Sequence, residues 1–217
     1  MTQFDLVIFD CDGVLIDSEV ISARMLIAEL AHYGVSIDLP YVAQHFFGRS
    51  YPIVLKQIRE EFGVHLPDGF EADYRARLIA AFRKDLRVMP HVRDAINALS
   101  VPYCLATSSS PDRLKQSLDV VGLADLFEGR MTTASEVSKG KPAPDLFLLA
   151  AQKMGANPVR CLVVEDSLAG IRAGLAAGMT VWRFTGGTHL AGMDLSVPDE
   201  CCPHDSFDSF ARFPSLD

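Results

Sequence analysis

A short apolar segment close to the N-terminus ends abruptly in carboxylates. Residues 6–9 are uncharged and are followed by Asp10, Cys11, Asp12 and Gly13. Consecutive apolar positions are typical of a parallel strand that is buried on both faces. Ligands of open α/β sheets bind beyond the carboxyl ends of the strands, so we expect Asp10 and Asp12 at a binding site. Carboxylates are costly to desolvate and a divalent cation would offset that cost, although a simple polar turn is the alternative explanation.

The downstream chain changes from a helical pattern to an alternating one. Between residues 18 and 86, apolar residues recur at helical spacing and no strand is evident. From residue 88, short apolar runs alternate with helical segments, as in a parallel sheet with helices on both faces. We predict helices over 19–33, 41–47, 52–62, 70–82, 92–99, 111–121, 144–154 and 167–177, strands over 6–9, 103–106, 161–164 and 180–184, and a short final strand and helix around 206–210.

These patterns predict an α/β fold, a Rossmann-like parallel-sheet core with an inserted α-helical bundle as a cap. The core domain comprises residues 1–17 and 87–217, and the cap domain comprises residues 18–86. Because the insertion follows the first strand, it is expected to cover the carboxyl end of the sheet.

The composition excludes several classes of protein. A net charge of -8 over 217 residues argues against a nucleic-acid partner, since nucleic acids need a basic surface. No apolar run reaches the length of a membrane span, and no signal peptide is evident. The five cysteines lack metal or redox spacing, which favours reduced thiols in a cytoplasmic protein; a role for the adjacent Cys201 and Cys202 stays open.

Polar side chains also follow two later strands. Thr107 and Ser108 come after the strand at 103–106, and Glu165 and Asp166 come after the strand at 161–164. Lys141 precedes a predicted helix that opens with proline. Each segment alone is equally well explained as a turn or a solvated cation. Together, carboxylates, a hydroxyl donor and one cation at a single sheet edge are what phosphoryl transfer requires.

Four segments resemble the motifs of one protein superfamily, in its order. Asp-x-Asp-Gly-Val-Leu-x-Asp-Ser at 10–18 resembles the first motif of the haloacid dehalogenase superfamily. Thr107 is similar to the second motif, Lys141 in Gly-Lys-Pro-Ala-Pro-Asp to the third, and Glu165-Asp166-Ser167 to the fourth. The helical insertion resembles the subfamily with a C1 cap, which acts on small phosphorylated metabolites. Within it, the chain is most similar to the β-phosphoglucomutase-like and 6-phosphogluconate phosphatase-like sugar phosphatases.

The resemblance implies a catalytic role for four residues. Asp10 is the nucleophile and forms an aspartyl-phosphate, and Asp12 is the general acid and then the general base. Thr107 donates a hydrogen bond to a phosphoryl oxygen, and Lys141 neutralises charge on the phosphate and on Asp10. These roles agree with elementary chemistry, since a carboxylate splits one hard step into two and a neighbouring carboxyl can hold the required proton.

The resemblance also implies a magnesium site and a substrate-facing loop. Mg²⁺ is expected on the Asp10 carboxylate, the Asp12 backbone carbonyl and Asp166, with Glu165 as a direct or indirect ligand. Hard oxygen ligands of this kind suit magnesium.

In the cap, Gly48 and Arg49 occupy a junction between predicted helices, where related caps carry a substrate-facing loop. Arg49 is a candidate partner for a second anionic group, with a solvated surface arginine as the alternative. On the core side, Ser108 is expected to contact the phosphoryl group. Arg75, Arg77 and Arg83 are interpreted as a solvated helix face.

The sequence therefore predicts a magnesium-dependent phosphatase for a small phosphate ester, namely a sugar or sugar-acid phosphate such as 6-phosphogluconate. A phosphosugar mutase is the second hypothesis, weakened because Ile21 or Ser22 stands where the related mutases carry a cap histidine. A non-catalytic domain that signals through a phospho-aspartate is the third. We expect no nucleic-acid or membrane partner, and a monomer or a weak homodimer.

Overall fold

A parallel sheet forms the centre of the protein, whose computed structural model describes residues 3–213. The strand order is β3-β2-β1-β4-β5-β6, and all the pairings are parallel. The strands are β1 (Leu6–Phe9), β2 (Tyr103–Thr107), β3 (Met131–Thr133), β4 (Cys161–Glu165), β5 (Thr180–Phe184) and β6 (Asp205–Phe207). The predicted α/β fold with a parallel-sheet core is confirmed.

Both faces of the sheet are covered by helices. Val7 and Phe9 of β1 belong to one buried cluster, and Leu6 and Ile8 belong to the other, because successive side chains of a strand point to opposite faces. The first cluster contains residues of α5 (Val92–Asn97), α6 (Pro111–Val121) and α7 (Ala124–Phe127), and the second contains residues of α8 (Asp145–Lys153) and α9 (Leu168–Ala176). Burial on both sides explains why β1 is apolar until Asp10.

Four helices lie between β1 and α5 and form the insertion. They are α1 (Glu19–Ala31), α2 (Leu39–His45), α3 (Tyr51–Phe62) and α4 (Phe70–Asp85). Leu30, Val42, Ile58 and Phe82, one from each helix, are buried together in the apolar interior. The helical character of the insertion is therefore as the periodicity predicts.

Two linkers join the insertion to the sheet domain and run side by side. Ile16 and Val88 form an antiparallel bridge. The Asp17 amide donates to the Arg87 carbonyl at 2.9 Å, and the Met89 amide donates to the Leu15 carbonyl at 2.9 Å. The chain crosses here in both directions, close to the predicted boundaries at 17/18 and 86/87, which stay a prediction.

The boundaries of several elements differ from those read from the pattern. The sequence analysis missed β3 and the four-residue α7. The helix predicted over 41–47 spans Leu39–His45, and the one predicted over 70–82 continues to Asp85. The short strand and helix expected around 206–210 are β6 and a 3-10 turn over Phe210–Arg212.

The cysteines are free thiols. Cys202 is exposed, and the other four are buried, as the sequence analysis expects. Between residues 3 and 213, no helix is both long and apolar enough to cross a membrane. The cytoplasmic location stays a prediction.

Candidate active site

The carboxyl ends of three neighbouring strands meet beneath the insertion. Asp10 follows β1, Thr107 ends β2 and Glu165 ends β4. β1 pairs with both β2 and β4, so these three strand ends lie next to one another. The structure therefore brings together residues that are far apart in the sequence, at the edge where the fold places ligands.

Lys141 links two of the carboxylates. Its Nζ donates to Asp10 Oδ1 at 2.5 Å and to Glu165 Oε1 at 2.7 Å, and its side chain is fully buried. Burial alone would lower the pKa of Lys141, but the two carboxylates raise it above the usual value. The lysine is therefore a permanent positive charge in the predicted catalytic position.

The site holds more carboxylate than this lysine neutralises. Oxygens of Asp10, Glu165 and Asp166 lie within 4.8 Å of one another, and all three residues are buried. Burial raises the pKa of Asp10 well above its usual range, although the charge of Lys141 lowers this pKa. Burial and the charge of Glu165 likewise raise the pKa of Asp166 well above its usual range. A divalent cation at this point would relieve the cost of desolvating these groups.

The hydrogen bonds show which oxygen is open to a cation. Glu165 Oε2 accepts from the Ser167 amide at 2.7 Å and from its hydroxyl at 3.0 Å, while Oε1 accepts from Lys141. Asp166 Oδ2 is buried and accepts no hydrogen bond from any of residues 3–213. The donor set fits Mg²⁺, with Asp10 and Asp166 as the open carboxylates and Glu165 engaged by protein donors.

A buried histidine stands next to the open oxygen. His189 Nε2 lies 2.7 Å from Asp166 Oδ2, yet neither atom forms a hydrogen bond with the described residues. Burial lowers the pKa of His189, which favours the neutral ring. Gly13, with φ of 80°, lets the chain pass this pair: a Cβ there would meet Asp166 Oδ2 at 2.2 Å.

Asp12 points away from the acidic cluster. Its Oδ1 accepts from Ser18 at 2.6 Å and from Arg113 Nη2 at 2.7 Å, and its Oδ2 accepts from Ser109 at 2.6 Å. The Asp12 side chain is thus not part of the carboxylate cluster of Asp10, Glu165 and Asp166 that could hold a metal ion. The predicted contact of Asp12 with the metal is through its backbone carbonyl alone. The arrangement leaves the carboxyl in the cavity between sheet edge and insertion, where a general acid is needed.

Thr107 and Ser108 use their hydroxyls differently. Thr107 Oγ1 accepts from the Ser109 amide at 3.0 Å, which leaves its proton available to another acceptor. The Ser108 hydroxyl donates to the Gly48 carbonyl at 2.8 Å. The Ser108 side chain therefore links the sheet domain to the insertion. That the Ser108 backbone amide contacts the phosphoryl group stays a prediction.

Gly48 lies where the insertion approaches α9. Its φ is 74°, and a Cβ at this position would meet Ser167 Oγ at 2.0 Å. Only glycine fits both the backbone conformation and the space. The loop that carries Gly48 and Arg49 therefore packs directly over the strand ends.

A cavity of about 1050 Å³, open to solvent, separates the sheet edge from the insertion; we call it the chamber. Its wall includes Asp10, Asp12, Thr107, Arg49 and Arg113. Arg49 Nη1 donates to the neutral amide oxygen of Gln57 at 3.1 Å, so its charge is not used in that contact. The wall of the chamber thus carries both carboxylates and guanidinium groups.

One arginine assignment was wrong. Arg75 of α4 also lines the chamber, and its Nη1 donates to the Ser110 hydroxyl at 2.7 Å, across the boundary between insertion and sheet domain. Arg77 and Arg83 are exposed, as a solvated face requires. Helical spacing alone could not separate Arg75 from them, because its partner Ser110 lies just before α6, 35 positions away in the sequence.

The sequence analysis missed Arg113, Glu19 and His189. Arg113 had a usable signal: a cation in the first turn of a helix opposes the helix dipole, which indicates an anion nearby. Glu19 lines the chamber; burial, and next the charge of Asp12, raises its pKa to about 8. His189 lies in a tail without regular pattern, and no local feature of the sequence pointed to it.

Comparison with known proteins gives the family. The family of haloacid dehalogenase-like hydrolases matches residues 4–178, which include strands β1 to β4, the insertion and all four motif positions. This chain belongs to the haloacid dehalogenase-like hydrolase family. The resemblance drawn from the motifs is confirmed, and the protein is a phosphatase of this family rather than a signalling domain.

Similar proteins within the family are phosphatases of small metabolites. The 6-phosphogluconate phosphatase of Escherichia coli (strain K12) is 29% identical over 191 residues, 87% of this chain and 86% of that protein. The fructose-1-phosphate phosphatase of the same organism is 29% identical over 174 residues, 79% of this chain and 92% of that protein. A HAD family hydrolase from Deinococcus radiodurans R1, solved with bound phosphate and sodium, is 33% identical with a TM-score of 0.73, covering 98% of this chain and 94% of that one.

Proposed function

We propose that this protein is a magnesium-dependent phosphatase that hydrolyses a sugar or sugar-acid phosphate, such as 6-phosphogluconate, through an aspartyl-phosphate. The observation that carries the proposal is the buried contact of Lys141 with Asp10 and Glu165, close to Asp166, whose Oδ2 accepts no hydrogen bond from residues 3–213 and lies 2.7 Å from His189 Nε2. It combines a nucleophile that lines the chamber with a fixed cation and a cation-binding carboxylate close to it.

The first step is attack of the Asp10 carboxylate on phosphorus. The bond between phosphorus and the ester oxygen breaks, and the leaving oxygen takes a proton from Asp12. The Thr107 hydroxyl donates a hydrogen bond to a phosphoryl oxygen, and Lys141 offsets the negative charge that develops near Asp10. Asp10, Asp166 and the Asp12 carbonyl would hold Mg²⁺, which when bound would supply further positive charge to the phosphoryl oxygens.

The second step releases phosphate. Asp12 takes a proton from water, the water oxygen bonds to phosphorus, and the bond from Asp10 to phosphorus breaks. The ion pair of Asp12 with Arg113 at 2.7 Å describes the resting site. When this ion pair opens, the Asp12 carboxylate takes up from solvent the proton that it delivers in the first step, and its carboxyl group then contacts the leaving group or water instead of Arg113.

Two features support a sugar or sugar-acid phosphate. The wall of the chamber is rich in hydrogen-bonding groups. Arg49 keeps a charge for a carboxylate or second phosphate on the substrate. Relatives at 29% identity are named for 6-phosphogluconate and fructose 1-phosphate, which are substrates of that class.

A direct test measures phosphate release from a panel of sugar, sugar-acid and nucleotide phosphates, with and without Mg²⁺. We expect magnesium-dependent release that the Asp10→Asn variant loses, since an amide is not a nucleophile for phosphorus. Asp5→Asn is the matched control, because Asp5 is an exposed partner of Arg160 on the sheet domain. Release that persists in Asp10→Asn, or no release from any ester, would contradict the proposal.

A further inference from the structure

One tyrosine of the insertion brings an unused hydroxyl to the chamber. Tyr51 is the first residue of α3 and lines the chamber. Its hydroxyl oxygen is buried and has no hydrogen-bond partner within residues 3–213. Burial raises the pKa of Tyr51 above its usual value, so the hydroxyl keeps its proton and remains a donor.

The ring of Tyr51 is held in place by a second tyrosine. It stacks on Tyr74 with the ring centroids 4.8 Å apart and the planes 8° from parallel. The Tyr74 hydroxyl donates to the Ser22 carbonyl at 3.0 Å, so one tyrosine of the pair is satisfied and the other is not. A buried hydroxyl without a partner is costly. The Tyr41 hydroxyl is also buried without a partner among the described residues, but Tyr41 does not line the chamber, so it is the position of Tyr51 on the chamber wall that points to a partner on the substrate.

A second donor faces the chamber from the sheet domain. Arg113 uses Nη1 for Ser109 at 2.9 Å and Nη2 for Asp12, while its Nε is buried without a partner among the described residues. Its guanidinium carbon lies 5.4 Å from the centre of the Phe82 ring, which limits its movement. The chamber therefore offers unused donors from both domains, in addition to the groups that the phosphoryl transfer employs.

We propose that Tyr51 is a specificity-determining residue whose hydroxyl donates a hydrogen bond to an oxygen of the substrate's leaving group. It selects esters whose leaving group is a polyhydroxylated chain or ring over esters of bare alkyl or aryl alcohols. The Arg113 Nε provides a second donor to the same oxygen-rich group. The inference rests on the proposed phosphatase function and adds the part of the substrate that is recognised.

The Tyr51→Phe variant tests this directly, since it removes the hydroxyl and keeps the stacked ring. We measure kcat/KM for 6-phosphogluconate and fructose 1-phosphate, and for p-nitrophenyl phosphate, which has no hydroxyl on its leaving group. Loss of one neutral hydrogen bond to the substrate corresponds to a decrease of about 3- to 10-fold. We expect that decrease for at least one polyhydroxylated ester and less than a two-fold change for p-nitrophenyl phosphate.

The matched control is Tyr41→Phe, which changes another tyrosine of the insertion. Tyr41 packs against His45, Phe46 and Phe62 and does not line the chamber, so its variant should leave the ratio of the kcat/KM values unchanged. The melting temperature separates recognition from folding. Tyr51→Phe should not lower it, because no contact within the described chain is lost.

Equal effects of Tyr51→Phe on all three esters, or no effect on either polyhydroxylated ester, would overturn the inference while leaving the phosphatase proposal intact. If the wild-type protein hydrolyses no ester, the phosphatase proposal fails. The inference is then decided by the Kd of 6-phosphogluconate, measured by calorimetry: an unchanged Kd in Tyr51→Phe refutes it, and a Kd weakened about 3- to 10-fold supports it.

Discussion

Replacing Lys141 with methionine should lower both the unfolding free energy and the turnover rate. Mg²⁺ should partly restore the unfolding free energy but not the turnover rate. Methionine is similar in length to lysine and carries no charge, so the change removes the cation with little loss of packing. Lys141 Nζ lies 2.5 Å from Asp10 Oδ1 and 2.7 Å from Glu165 Oε1, and all three side chains are buried. In Lys141→Met the carboxylates of Asp10, Glu165 and Asp166 lose the ammonium group that binds two of them.

The magnitude follows from those distances. At an effective dielectric constant of about 20, each contact is worth roughly 6 kcal/mol of Coulomb attraction. The cost of burying the ammonium group offsets much of this, and breaking a buried ion pair by removing one partner typically costs about 3–5 kcal/mol of unfolding free energy. We expect a loss in this range in EDTA at neutral pH. A fixed charge of this kind contributes about 10²–10³-fold to kcat, so turnover with Mg²⁺ should fall by that factor.

Stability is measured by urea unfolding, once in EDTA and once in Mg²⁺. Turnover is measured as the rate of phosphate release at saturating substrate. Because Mg²⁺ returns positive charge to the carboxylates, it should stabilise Lys141→Met more than the wild type. Lys139→Met is the control, since Lys139 is an exposed lysine two positions away. The reasoning is refuted if Lys141→Met loses less than about 1 kcal/mol of unfolding free energy and keeps kcat within three-fold of the wild type.

Two further predictions concern the chamber wall. Gly48→Ala should lower kcat/KM at least about ten-fold, because its Cβ would meet Ser167 Oγ at 2.0 Å. Gly63→Ala is the control: Gly63 also has a positive φ, but a Cβ there would have open space, so this variant should lower stability and leave activity unchanged. Glu19 has its pKa raised to about 8, so the folded protein holds this proton up to about pH 8 while the unfolded chain releases it from about pH 4.5. The unfolding free energy of the wild type should therefore fall, relative to Glu19→Gln, by up to about 4 kcal/mol between pH 5 and 9; urea titrations at both pH values that give equal differences would contradict this.

The regular elements were predictable wherever the local pattern is strong. The helix predicted over 111–121 and the strand predicted over 180–184 have those bounds in the structure. Periodicity suffices there because each residue's burial follows from its own position in the element. β3 was missed because it has only three residues, and its pairing with β2 rather than its composition makes it a strand.

The motif residues of the site were predictable for a different reason. Asp10, Thr107 and Glu165 each stand at the end of an apolar run, and the carboxyl ends of parallel strands share one edge. Their grouping therefore follows from the fold class alone. The partners of those residues do not follow in this way, since the contact of Arg113 with Asp12 spans 101 positions and depends on where α6 begins.

By itself, the sequence determined the α/β class, the helical insertion and the identity of the groups at the sheet edge, because these depend on local periodicity and on strand ends. Only the tertiary structure decided how those groups are used. It showed that both oxygens of Glu165 accept hydrogen bonds from Lys141 and Ser167, while Asp166 Oδ2 lies next to His189 and accepts none from the residues that the structure describes. It also placed Tyr51 on the chamber wall, with a hydroxyl that has no hydrogen-bond partner in the described part of the chain, because contacts between domains arise from packing that no sequence spacing encodes.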